Sequence, residues 1–142
     1  MIIAETESLI RDNDIPLPRA KFRRQSEGED PTILADIYLE ETNIVIWRRK
    51  LPATFSQSIE SFLDLNSELQ VAMVVTPETA YSLICEKLAD SGQHELCKNI
   101  DQLVGMFCSL LEVQRVGLRL ANLDRAMCPK FHVDKVPCRM VT

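Results

Sequence analysis

HELCKNIDQLVGMFCSLLEVQRVGLRLAN, residues 94–122, contains the change of period on which the fold class turns. From His94 to about Val113 the apolar residues Leu96, Ile100, Leu103, Val104, Phe107, Leu110 and Leu111 recur at helical spacing. That spacing draws an apolar stripe along one side of a helix. The period then drops to two. Over Arg115–Asn122, Val116, Leu118 and Leu120 alternate with Arg115, Gly117 and Arg119, as in a strand with one covered face. A long amphipathic helix followed at once by a half-buried strand predicts a helix lying on a sheet, with Leu103, Val104, Phe107 and Leu111 in the core.

Upstream, the same two periods alternate. Thr76-Pro77-Glu78 reads as a helix start, with Ala80, Tyr81, Leu83, Ile84 and Leu88 inside and Asp90-Ser-Gly92 as its end. Leu69–Val75 and Ile44–Trp47 are strand candidates rich in β-branched residues. Between them Phe55, Ile59, Phe62 and Leu63 share a helix face, with Thr54 as its expected cap. Asp30-Pro31 has the form of an N-cap followed by a first helical proline, before Ile33, Leu34, Ile37 and Tyr38. Residues 1–29, with Asp12-Asn-Asp-Ile-Pro-Leu-Pro and a mixed charge run, are expected to be a poorly organised lead-in. Residues 30–142 then make one domain. Downstream, Phe131–Thr142 is extended again.

With 142 residues, 46 % hydrophobic and 26 % charged, the chain has the composition of a globular domain with a real core. Its longest apolar run, Val71–Val75, falls far short of the roughly 20 residues of a membrane helix. The N-terminus turns acidic at Glu5 with no basic residues before it, unlike a secretory signal. Five cysteines without a Cys-x-x-Cys spacing predict reduced thiols in a cytoplasmic protein. A net charge of −5 disfavours nucleic acid as a partner, and no membrane association is expected. The charge is uneven, however. Residues 113–142 hold six basic side chains against two acidic ones, a local positive field suited to a small anionic ligand. The alternative is that these charges simply line a solvated face.

Chemistry concentrates in Ala126-Met-Cys-Pro-Lys-Phe-His-Val-Asp-Lys-Val-Pro-Cys-Arg-Met140. On a strand, His132 and Asp134 project to one side, about 7 Å apart along the backbone. Val136, Cys138 and Met140 belong to the same alternating set, so both polar groups are aimed inward and need a partner. A divalent metal would serve. His-x-Asp is two-thirds of the facial triad of non-haem iron, whereas Cys128 beside His132 points to zinc. A hydrogen-bonded His132–Asp134 pair or an ordinary salt bridge is the structural alternative. All four of Cys128, His132, Asp134 and Cys138 cannot meet on an extended chain, because the cysteines would be about 33 Å apart.

The run from Val116 to Met140, with Ile44-Val-Ile-Trp-Arg-Arg and Leu103-Val-Gly-Met-Phe107, resembles the bacterial domain-of-unknown-function 1826 family over roughly residues 30–142. The resemblance implies a cytoplasmic bacterial protein, often encoded beside zinc-homeostasis genes, with no established activity. It also implies that family members continue beyond Thr142 with further sheet. The expected fold is α+β, with helices packed on a mostly antiparallel, incomplete jelly-roll-like sheet. A full jelly roll needs about eight strands, and four candidates are seen here.

Two functions are expected from this pattern. One is a metal-binding, oxygenase-like domain with His132 and Asp134 as ligands and Arg119 or Arg139 holding an anionic substrate. The other is a non-catalytic zinc-homeostasis or interaction protein using Cys128 and His132. Two protein ligands leave an ion mostly hydrated, so weak iron retention is expected from this chain alone. The strand ending at Thr142 offers an exposed edge for a homodimer.

Overall fold

The computed structural model describes residues 2–3, 24–88, 93–123 and 138–142. Its chain divides into two compact units, Met1–Thr6 with Pro52–Thr142, and Glu7–Leu51. Helices and small sheets combine in an α+β fold, as the two sequence periods predict.

The larger unit contains β1 (Ile2–Ile3), α1 (Ala53–Leu65), β4 (Gln70–Val75), α2 (Ala80–Lys87), α3 (His94–Leu111), β5 (Val116–Ala121) and β6 (Arg139–Met140). The strands form one antiparallel sheet in the order β4-β5-β1-β6. Val75, Val116 and Leu118, on one face, are at most 2 % exposed, while Val74 on the other is 56 % exposed. Cys97, Ile100, Leu103, Val104, Phe107 and Cys108 form the buried stripe of α3. Phe62 of α1, Ala80 and Ile84 of α2, and Leu88 at the end of α2 complete this core. Leu111 is only half-buried, because the helix ends there.

Several boundaries differ from the sequence expectation for local reasons. Helix α3 stops at Leu111 rather than Val113, since Glu112 takes the left-handed conformation (φ 53°) and the Val113 N–H donates back to the Cys108 carbonyl at 3.0 Å. Thr54 lies inside α1; Pro52 is its N-cap residue, and its carbonyl accepts from Phe55 and Ser56 N–H. Thr76–Thr79 form a turn before α2, in which the Thr76 N–H donates to the Thr79 hydroxyl at 3.0 Å. Asn122 is the long-range tie. Its Nδ2 donates to the Leu63 carbonyl at 2.8 Å and the Asn66 carbonyl at 3.2 Å, holding the C-terminal end of α1 to the end of β5.

The smaller unit contains β2 (Arg24–Gly28), a 3-10 helix (Pro31–Tyr38) and β3 (Thr42–Trp47). Asp30 caps the helix as its sequence predicts, accepting from Thr32 N–H at 2.8 Å; this and the Thr32 hydroxyl hold its carboxyl below the usual range. Strand β2 pairs in parallel with β3, the helix serving as crossover. Gly28 sits close to the helix: a Cβ there would meet the Ile33 side chain at 3.3 Å, tight enough that Ile33 would have to shift by a few tenths of an ångström. The basic run after β3 is answered by β2 and the residue following it. Arg48 pairs with Glu27 at 3.3 Å, Lys50 with Glu29 at 3.5 Å, and Arg49 lies over the Trp47 ring at 5.1 Å.

Candidate functional site

Sheet register decides which face each charged residue occupies. Arg119 of β5 stands opposite Ala72 of β4, and Gly117 stands opposite Val74. Gly117 also pairs with Ile3, and Ile3 pairs with Arg139 of β6. Cross-strand partners share a face, so Arg119 and Arg139 lie on the same side as exposed Val74, away from buried Val75, Val116 and Leu118. Two strand spacings and a two-residue offset put their Cα atoms about 12 Å apart. Long flexible side chains can close that span on one small anion. Arg119 is half-buried and Arg139 exposed.

The remaining sequence candidates stand differently. Cys128, His132 and Asp134 lie outside the described residues. Met140, from their alternating set, registers through Ile2 with Leu118 on the buried face. Cys138 is half-buried, and burial pushes its thiol up from the ordinary value, which keeps it protonated near neutrality. Among the described residues no group of three or more His, Cys, Asp and Glu side chains is placed to hold a metal. His94 is exposed at the first residue of α3.

A cleft of about 510 Å³ was not anticipated from sequence. It lies between the Thr76–Glu78 turn and the C-terminal end of α3, with Glu78, Cys108 and Glu112 in its lining. Its chemistry is unlike the arginine face. Hydrogen bonding from Thr76 holds the Glu78 carboxyl below its ordinary value, so it stays charged. Burial, then the Glu78 charge, push the Cys108 thiol up. The cleft therefore presents two carboxylates and a protonated thiol, which disfavours anions and leaves Cys108 a poor nucleophile.

The α3 block and the alternation of β5 belong to the larger unit, and the Ile44–Arg49 block to the smaller. The chain belongs to the DUF1826 family. The family, described as "Protein of unknown function (DUF1826)", matches residues 28–142, which bears out the resemblance carried by the Val116–Met140 run. No curated protein and no solved structure matches the chain. In this DUF1826 chain the match begins at the last residue of β2 and covers β3 through β6. Among the described residues no helix is long and apolar enough to cross a membrane.

Proposed function

We propose that this DUF1826 chain binds a small anion on the open face of its four-stranded sheet, between Arg119 and Arg139. The supporting observation is their register, which puts two cations from separate strands on one face. A divalent metal on His132 and Asp134, in an oxygenase-like domain, is the second part of the reading. In sequence alternation that pair belongs with Met140 and not with Arg139. A jelly-roll-like extension of the antiparallel sheet and a cytoplasmic location belong to the same reading. Pairing with a second copy along β6 is supported by its place at the end of the strand order. Nucleic acid is left out of this reading on the net charge of −5.

The anion site is tested by titrating the protein with inorganic phosphate and with succinate, followed by NMR. Arg119→Ala and Arg139→Ala each remove one charge-assisted contact at a partly exposed site, worth about 1 kcal/mol, or roughly fivefold in Kd. Unchanged Kd values in both variants, or no binding by the parent protein, would sink the reading. Metal analysis of protein purified without added metal addresses the second part. Substoichiometric iron that falls further in His132→Ala supports the oxygenase-like assignment. Zinc lost in Cys128→Ala and His132→Ala favours the zinc-homeostasis alternative, which the cysteine beside the histidine suggests.

A further inference from the structure

Helices α2 and α3 pack against each other and are joined by a short connection, so they run in opposite directions. Their register is tied by the Tyr81 N–H, which donates to Asp101 Oδ1 at 3.1 Å. One helical turn onward from Tyr81 is Cys85, and one turn back from Asp101 is Cys97. An antiparallel helix pair therefore brings these cysteines face to face across the interface. Tyr81, one turn before Cys85, lies on the same face of α2. Both cysteines are free thiols; Cys85 is half-buried, whereas Cys97 is 2 % exposed. Solvent and small solutes reach Cys85 first, and Cys97 sits behind it. Neither the anion site nor the metal pair uses these groups.

We propose that Cys85 and Cys97 are a peroxide-reactive dithiol that closes into a disulfide joining α2 to α3. The Cys85 sulfur attacks one oxygen of hydrogen peroxide and the O–O bond breaks, leaving a sulfenic acid on Cys85 and one water. The Cys97 sulfur then attacks the Cys85 sulfur. The S–O bond breaks, the departing hydroxide takes the Cys97 proton as a second water, and the S–S bond forms. Two thiols and one peroxide become one disulfide and two waters, with two electrons passing from sulfur to oxygen. Its place opposite Cys85 across the helix interface makes Cys97 the resolving thiol, since bond formation requires the sulfurs to approach about 2.05 Å. Cys108 is unsuited to the first step because it is buried against the Glu78 charge.

The test uses the full chain treated with hydrogen peroxide at neutral pH, capped with N-ethylmaleimide and digested with trypsin without reductant. Cleavage after Lys50, Lys87, Lys98 and Arg115 puts Cys85, Cys97 and Cys108 on three separate peptides. The expected product is peptide 51–87 joined to peptide 88–98, lighter by two hydrogens than the sum of the pair and separated again by dithiothreitol. In Cys97→Ala, Cys85 should accumulate as a sulfenic acid captured by dimedone; in Cys85→Ala, Cys97 should stay unmodified while the chain is folded. The proposal is overturned if both thiols survive peroxide that fully oxidises free glutathione, or if Cys85 couples chiefly to another chain or another cysteine. Should Cys97→Ala not fold, the peptide map of the unaltered chain decides alone.

Discussion

Phe107→Ala is the sharpest probe of the core. The side chain is 1 % exposed, towards the C-terminal end of the buried stripe of α3. Losing its burial forfeits about 1.5–3 kcal/mol of transfer free energy. If the surroundings collapse only partly and leave a void of about 50 Å³, the cavity adds about 1 kcal/mol at about 24 cal/mol per Å³. The total lies near the lower end of the roughly 3–5 kcal/mol seen for such truncations. That is a large part of the ~5–15 kcal/mol that holds a domain together. Urea unfolding followed by far-UV circular dichroism should show the midpoint falling with little change in slope. Ser109→Ala, at an exposed position two residues on, is the control and should stay within about 0.5 kcal/mol of the parent. A Phe107→Ala cost under about 1 kcal/mol would mean that α3 is peripheral and that the core was wrongly placed.

Two further outcomes follow from single contacts. Asn122→Ala strips two donors from carbonyls at the end of α1 and should cost about 1–3 kcal/mol; Asn122→Asp should be no better, because a carboxylate would face two carbonyl oxygens. Equality of Asn122→Ala with the parent in urea melts would refute the tie. Burial, then the neighbouring Cys85, push the Cys97 thiol from 9.0 up to about 12. A thiol held neutral by the fold contributes stability that is complete below the unfolded value near 9 and is lost as pH rises toward 12. Stability measured at pH 8, 9 and 10 should therefore fall, and less steeply in Cys97→Ala; identical slopes would contradict the assignment.

Local chemistry made much of this molecule legible. The 3.6-residue stripe of α3 and the two-residue alternation of β5 repeat within a few turns, so each announces its own element and its buried face. Asp30-Pro31 announces its helix in the same way, since a cap and its N–H partner are two residues apart. Strand β2 announced nothing: Arg24-Gln-Ser-Glu-Gly28 has little β propensity and is a strand because β3 supplies the hydrogen bonds. Ile2–Ile3 is too short to show a period, yet it lies between β5 and β6. The alternation of β5 told which residues accompany Arg119, but nothing in it told which residues of other strands would stand beside them. Arg119 and Arg139 share a face only through Ile3, and Cys85 meets Cys97 only through the register that Tyr81 and Asp101 hold. Periodicity is a property of neighbouring residues and survives in the linear chain. Register is a property of segments far apart in sequence, and it exists only after hydrogen bonds and packing have brought them together.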